Sequence, residues 1–110
     1  MQTLLLAEKI NEDHKKEQIL ELVSSKYCST ILEAIKDAPK SANEIADEKK
    51  IPISTVYRRI QALHDLGILR VTGKIGDDGK KFFLYQSKVK TIRSKFSDGK
   101  IEVWLYPNEI

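Results

Sequence analysis

The hydrophobic positions between residues 41 and 67 recur at helical spacing and predict two helices joined by a tight bend. In the second half of this stretch, Val56, Ile60 and Leu63 follow an i, i+4, i+7 pattern, which is typical of a helix with one buried side. Pro52 suits the opening of that helix, because proline cannot donate a hydrogen bond within a helix. The pattern therefore predicts a helix that starts beside Pro52.

The first helix of the pair begins with a capping signal. Ser41 and Glu44 have the spacing of a capping box, in which each side chain pairs with a backbone amide at the helix start. The predicted buried residues of this helix and the bend are Ala42, Ile45, Ala46 and Ile51. The two helices together have the order of a helix-turn-helix.

The predicted outer side of the second helix is polar and cationic. Arginine can bond guanine in a fork, glutamine can bond adenine in the same way, and hydroxyls near a helix start can reach phosphates. Two interpretations stay open for this face: a helix that reads the DNA major groove, and an ordinary surface helix. The residues predicted opposite the apolar side are Ser54, Thr55, Arg58 and Gln61, with Tyr57, Arg59 and Ala62 on the flanks.

Two further helices are predicted before this pair. Residues 3–24 favour helix, with a possible short helix at residues 4–6 and a break capped by Asn11 or Asp13. A second helix is expected to start near Ser24–Ser25 or Ser29 and to end at residues 37–39, because a residue before proline avoids helical angles. Its predicted buried side is Tyr27, Cys28, Ile31, Leu32 and Ile35.

Alternating residues after Gly67 predict a β-hairpin. Residues 68–72 and 81–85 favour strands, residues 76–79 form a turn signal, and Gly67 suits the left-handed end of a helix. A hairpin that follows a recognition helix often contacts DNA as a wing. Its basic residues also suit a solvated hairpin edge, and acidic residues at the tip argue against deep insertion among phosphates. The residues concerned are Lys74, Lys80 and Lys81, with Asp77 and Asp78 at the tip.

A second hairpin is predicted around Asp98 and Gly99, a strong two-residue turn signal. The implied register predicts one apolar face and one face with a salt pair and an arginine over an indole. Trp104 and Tyr106 fall on the second face. Two interpretations stay open for these aromatics: packing against the N-terminal helix, and a surface for a partner or a second subunit. The cross-strand pairs are Phe96–Ile101, Ser94–Val103, Ile92–Leu105, Lys95–Glu102, Arg93–Trp104 and Thr91–Tyr106.

Composition indicates one small domain of an intracellular protein. The chain has 110 residues and a net charge of +3, and residues 67–110 carry nine basic and five acidic side chains, a local surplus of +4. The single cysteine, Cys28, excludes an internal disulfide and a cysteine-cluster zinc site, and it is expected to be a core residue. We expect a cytoplasmic protein without a signal peptide, a membrane span or a cofactor.

The sequence of residues 26–85 resembles the sequences of the ArsR-type winged helix-turn-helix regulators, especially archaeal ones. The similarity is carried by "SANEIA" in the first helix, "ISTVYRRIQAL" in the second and "DLGIL" at the exit into the hairpin. It implies an α+β fold, a winged helix-turn-helix with an additional C-terminal β-hairpin in this chain. It also implies a homodimer that binds double-stranded DNA. The implied DNA-binding residues are Ser54, Thr55, Tyr57, Arg58, Arg59, Gln61, Lys74, Lys80 and Lys81.

The chain departs from this family in two places. Metal-sensing members have a cysteine pair where this chain has "ANEI", so metal sensing is not expected, and no small-molecule effector is identifiable. Many relatives end in a dimerising helix, where a β-hairpin is predicted here. A dimer is therefore expected to use residues 1–24, with or without residues 89–106.

The predicted organisation has three parts: a helical segment at residues 1–25 with a dimer contact, a DNA-binding domain at 26–87 and a hairpin extension at 88–110. The favoured function is a DNA-binding transcriptional regulator. The alternative is a winged-helix module for protein–protein interaction in a transcription or replication assembly. An enzyme is not expected, because His14 and His64 lack ligand-like or catalytic partners in the sequence.

Overall fold

Four helices and five strands make up residues 7–109, the part of the chain described by the structure, a computed structural model. The possible helix at residues 4–6 lies outside the described residues. In chain order the elements are β1 (Glu8–Ile10), α1 (Asp13–Ser24), α2 (Lys26–Ala34), α3 (Ala42–Lys49), α4 (Ile53–Asp65), β2 (Leu69–Ile75), β3 (Lys81–Ser87), β4 (Val89–Ser97) and β5 (Lys100–Pro107).

The larger of two hydrophobic cores holds α2, α3 and α4 together and reaches the first residue of β2. Every residue of the predicted apolar pattern in α4 is buried here, as is Ile51 in the bend. Cys28 is also fully buried, as expected. The buried members are Cys28, Ile31, Ala34, Ile35, Ala42, Ile45, Ile51, Val56, Ile60, Leu63, Ile68 and Leu69.

Two expectations for α2 are wrong. Tyr27 is 40% exposed, because it lies beside Cys28 on the helix and only Cys28 points into the core. The helix also ends at Ala34, before the proline signal, and a backbone amide from Ser87 bonds the carbonyl of Ile35 at 3.0 Å. That bond satisfies a carbonyl beyond the last helical residue.

The N-terminal segment is not helical throughout. The prediction of helix for residues 3–24 is wrong at β1, which pairs antiparallel with β5 and places Ile10 opposite Val103. Burial of Ile10 in the second core outweighs the helix propensity of this stretch. The cap residue of α1 is Glu12, without a side-chain bond, and not Asn11 or Asp13.

The C-terminal hairpin has the register that its turn residues predict. All six expected cross-strand pairs between β4 and β5 are present, and the order of this sheet is β1-β5-β4. Asp98 and Gly99 both have positive φ, 53° and 74°, as the favoured two-residue hairpin turn requires. The prediction of this hairpin is confirmed.

The second core lies between α1 and one face of this sheet. Ile19 of α1 is buried with Val103 and Leu105 of β5. Leu66 and Val89 pack against both cores, so the hairpin and the helices share contacts. The C-terminal strands are therefore packed onto the helical part of the chain.

Polar bonds fix the junction between the two hairpins. The buried Ser87 hydroxyl donates to the carbonyl of Val89 at 2.6 Å and accepts from its amide at 3.1 Å. The side-chain amide of Asn108 donates to the carbonyls of Lys36 and Ser87, at 2.7 and 3.0 Å. These bonds join the end of the chain to the end of α2.

The described chain is an α+β winged helix-turn-helix with additional C-terminal strands. Strands β2 and β3 form the wing, and they are longer than the predicted strands at residues 68–72 and 81–85. Between residues 7 and 109, no helix combines the length and the apolar character that crossing a bilayer requires.

Candidate nucleic-acid interface

The bend between α3 and α4 is fixed by caps at both ends of α3. The predicted capping box is confirmed: the Glu44 amide donates to the Ser41 hydroxyl at 3.1 Å, and the Ser41 amide donates to the Glu44 carboxylate at 2.9 Å. Lys50 adopts the left-handed conformation, and the amide of Ile51 then donates to the carbonyl of Ala46 at 3.1 Å. This turn sets the direction in which α4 leaves α3.

Helix α4 presents a polar face to solvent. Ser54, Arg58 and Gln61 are exposed, and Tyr57 is 52% exposed. The opposite side of the helix is buried in the larger core. A helix held by its apolar side leaves these outer groups available for a ligand, as a recognition helix requires.

Two of the expected outer residues lie elsewhere. Thr55 is only 8% exposed, so its placement on the outer face is wrong: it lies one helical turn before the half-buried Arg59, on the flank of the helix. Arg59 is half-buried, and its Nε has no hydrogen-bond partner within residues 7–109. Burial raises the pKa of the nearby Cys28 thiol, while a hydrogen bond with Ser25 and the charge of Arg59 oppose this rise.

The polar side chains of the outer face are partly oriented by their neighbours. One terminal nitrogen of Arg58 lies 3.5 Å from the Thr55 hydroxyl, a long contact that leaves the rest of the guanidinium free. The Gln61 amide nitrogen donates to the Asp65 carboxylate at 2.9 Å, which leaves its carbonyl oxygen without that constraint. Both side chains can therefore present hydrogen-bonding groups to a ligand.

The chain passes from α4 into the wing at Gly67, the glycine predicted to end the helix. Gly67 has a φ of 76°, and the following amide of Ile68 donates to the carbonyl of Leu63 at 3.1 Å. At the far end, Gly79 has a φ of 80° and the Asp78 carboxylate accepts from the amide of Lys80 at 2.9 Å. Asp78 thus has a structural role in the turn of the wing.

The two faces of the wing differ in chemistry. The register places Gly73 opposite Phe83 on one face and Lys74 opposite Phe82 on the other. Lys81 shares the face of Phe83, with its Nζ 5.3 Å from the centre of that ring. Lys74 and Lys81 therefore cannot contact one flat surface together, although both are exposed.

A groove of about 200 Å³ separates α4 from the Phe83 face of the wing. Its polar lining comes from α4 and its aromatic lining from both elements. Burial, with a smaller effect of neighbouring Tyr57, raises the pKa of Tyr85. Helix and wing thus form one continuous surface, lined by Tyr57, Ile60, Gln61, His64, Val71, Phe83 and Tyr85.

The structure brings only some of the predicted site residues together. Tyr57 and Gln61 line the groove, and Lys81 lies over one of its aromatic residues. Lys80 is at the turn, and Lys74 is on the other face. Five of the seven residues that line the groove were not predicted as site residues: Ile60, His64, Val71, Phe83 and Tyr85. The strand alternation of "KKFFLY" does place Lys81, Phe83 and Tyr85 on one side of the wing.

The surface of helix and wing has free positive charge. Within residues 7–109, none of Arg58, Lys80 and Lys81 is in a salt bridge; the cations that are paired lie elsewhere, on Lys9, Lys16, Lys36, Lys40 and Lys49. The described residues also contain no cluster of side chains suited to a metal ion. The available chemistry is hydrogen bonding, cationic contact and aromatic contact.

Fold and surface together define a winged helix-turn-helix protein. Residues 23–72 match the family model described as a helix-turn-helix domain, which spans α2 to α4 and the start of the wing. No curated protein and no solved structure is significantly similar to the chain. The match covers 50 of the 110 residues, and the helix-turn-helix domain that it describes suggests DNA binding.

Proposed function

We propose that this protein is a transcriptional regulator that binds double-stranded DNA with α4 in the major groove and the wing on the adjacent backbone. The observation that supports this most strongly is the exposed polar side of α4. It carries Tyr57, Arg58 and Gln61 on a helix held firmly by its opposite side. Arginine and glutamine are the residues that read guanine and adenine edges.

Roles for the remaining predicted residues follow from their positions. Ser54, at the start of α4, contacts a phosphate together with free backbone amides. Lys80 and Lys81 contact the backbone from one side of the wing, and Lys74, on the other wing face, contacts a different part of the backbone. Thr55 and Arg59 support Arg58 and the helix from the inner side and make no base contact.

We further propose that the protein acts as an ArsR-like homodimer on a two-fold site. Support comes from the tip of the C-terminal hairpin, where Phe96 is 72% and Ile101 42% exposed. Both lie on the face of the sheet that α1 covers at a greater distance from the hairpin turn. Exposed apolar pairs of this kind suit an interface between subunits. A two-fold dimer places its half-sites about one helical turn of DNA apart.

The DNA proposal is tested by selection of bound fragments from genomic duplexes, followed by titration of the recovered sequence at several salt concentrations. The expected result is a shared motif with two-fold symmetry and an affinity that falls steeply with salt. Absence of duplex binding at low salt would refute the proposal.

The dimer is tested by sedimentation of the wild type and of Phe96→Ser. The substitution is expected to shift the protein towards monomer. Ile75→Ser is the matched control, because Ile75 is 70% exposed but lies on the wing. Equal masses for all three proteins would contradict this interface.

A second candidate function is a protein-interaction module. It is favoured by the acidic tip of the wing, where Asp77 and Asp78 are both exposed and would lie close to phosphates in a DNA complex. Affinity capture before and after nuclease treatment separates the two functions. Partners that remain after nuclease treatment would favour the module.

A further inference from the structure

The sheet formed by β1, β5 and β4 has one face turned away from α1, which we call the aromatic face. The cross-strand register places Lys9, Trp104 and Arg93 in one row across it. The neighbouring rows contain Thr91 with Tyr106, Lys95 with Glu102 and Ser97 with Lys100. Because side chains alternate along a strand, Val103 and Leu105 lie on the opposite, buried face.

The aromatic face is not covered by α1. The interpretation that Trp104 and Tyr106 pack against the N-terminal helix is therefore wrong: α1 packs against the alternate residues of β5 through Ile19. Both aromatics remain partly exposed. Partly exposed rings on a rigid sheet are available to a ligand with a flat apolar surface.

Cations surround these two rings. The Nζ of Lys9 is 6.0 Å from the centre of the Trp104 ring, and the guanidinium of Arg93 is 5.3 Å from the centre of the Tyr106 ring. The expected stacking of Arg93 on the indole is thus wrong, since the guanidinium reaches the diagonal tyrosine instead.

The charge of the face is positive. Four cations, Lys9, Arg93, Lys95 and Lys100, lie with one carboxylate, Glu102, which gives 4 − 1 = +3. Glu102 binds Lys9 at 2.7 Å and not Lys95, so the expected Lys95–Glu102 salt pair is wrong. Arg93, Lys95 and Lys100 make no salt bridge within residues 7–109.

We propose that the aromatic face binds single-stranded nucleic acid, a function beyond the proposed duplex recognition by α4. Exposed bases stack on Trp104 and Tyr106 or on the plane of the Arg93 guanidinium, and Lys95 and Lys100 contact phosphates. Charge complementarity favours a phosphate chain. The flat rings favour a single strand, because bases inside a duplex cannot present their faces to the protein.

The protein contains its own reporter for this test, because Trp104 is its single tryptophan. Short oligo(dT), oligo(U) and a mixed-sequence duplex of equal length are titrated into the full chain at low salt. The expected result is saturable quenching of tryptophan emission by the single strands and not by the duplex. The two single-stranded probes distinguish DNA from RNA as the ligand.

Variants locate the binding surface. Loss of one stacking contact in Trp104→Leu is expected to weaken binding of a labelled oligo(dT) by about 5- to 150-fold, measured by anisotropy. Lys95→Gln is expected to weaken it several-fold and to reduce its salt dependence. Lys26→Gln, which changes an exposed lysine on α2, is the matched control and is expected to leave the affinity for oligo(dT) unchanged.

The test separates this proposal from the duplex proposal. Arg58→Ala is expected to weaken duplex binding and to leave single-strand affinity unchanged, so either activity can fail alone. If Trp104→Leu does not fold, as judged by circular dichroism, the surface variant Lys95→Gln decides. Absence of single-strand binding, equal quenching by duplex, or unchanged affinity in Lys95→Gln overturns the proposal.

Discussion

Lys81 extends across the wing over Phe83, with its Nζ 5.3 Å from the ring centre, on the face that borders the groove beside α4. Lys81 can take this position because the residue opposite Phe83 is a glycine. A Cβ at Gly73 would be 3.0 Å from the Cε of Lys81. A cation over an exposed ring gains about 0.5–1 kcal/mol. Gly73 thus leaves room for a charge of the wing over a ring that lines the groove beside α4.

Gly73→Ala is expected to displace Lys81 and to weaken duplex binding a few-fold. The free energy of unfolding should change by less than about 0.5 kcal/mol, because the group displaced is the flexible end of a lysine. Anisotropy titrations and urea unfolding measure the two quantities. Thr72→Ala, on the other wing face, is the control. If Lys81→Gln weakened duplex binding but Gly73→Ala bound with wild-type affinity, the role of Gly73 in positioning Lys81 would be contradicted.

Lys50→Gly is expected to raise the free energy of unfolding by about 0.5–1 kcal/mol. Lys50 adopts φ 57° and ψ 45°, a left-handed conformation that costs a side-chain-bearing residue about 1–2 kcal/mol and glycine almost nothing. Part of the gain is offset by the greater freedom of glycine in the unfolded chain. Urea unfolding checks the value, and Lys49→Gly, at the last residue of the helix, should lower stability instead.

Local signals predicted the helix-turn-helix and both hairpins well. The capping box at Ser41, the exit at Gly67 and the turn at Asp98 each depend on a few adjacent residues, and each is observed. The α4 apolar pattern also predicted the burial of Val56, Ile60 and Leu63, because helical spacing defines that face, although it missed the burial of Thr55.

Features that depend on distant residues could not be predicted in the same way. Strand β1 depends on pairing with β5, whose residues lie about 95 positions later in the sequence. The salt bridge between Lys9 and Glu102 depends on the same strand pairing, because β1 brings Lys9 next to β5. The groove residues His64 and Phe83 likewise become neighbours only through the angle between α4 and the wing.

Asn108→Ala is expected to lower the free energy of unfolding by about 1–3 kcal/mol. The side chain donates to two carbonyls, of Lys36 and Ser87, and its removal leaves these partly buried acceptors without that donor. Urea unfolding measures the change. Asn43→Ala, at an exposed helical position, should stay within about 0.5 kcal/mol of wild type, and an equal effect of both substitutions would contradict the role of Asn108.

The Glu102 carboxylate is expected to contribute to acid sensitivity. Its hydrogen bond to Lys9 holds the pKa below the usual value of 4.5. A lowered pKa in the folded state stabilises the protein above pH 4.5, and this contribution is lost as the pH falls through the folded-state pKa. Wild type should therefore have a higher Tm than Glu102→Gln at pH 7, and the difference in Tm should shrink as the pH is lowered from 7 to below 4.5. The difference in Tm between wild type and Lys9→Gln should shrink in the same way. A difference in Tm that stayed constant across this pH range would exclude the Lys9–Glu102 salt bridge as its cause.

Arg58 and Lys80 are expected to affect DNA binding in different ways. Arg58→Ala removes a forked donor from the exposed side of α4, so affinity for the recovered site should fall by about 1–3 kcal/mol and discrimination at one base position should relax. Lys80→Ala removes a charge at the turn of the wing, so all duplexes should bind more weakly and the salt slope should fall by about one. Titrations of the recovered site and of a scrambled duplex at several salt concentrations measure both effects. A uniform loss of affinity in Arg58→Ala, with specificity intact, would assign Arg58 to the phosphate backbone and move base reading to Gln61 and Tyr57.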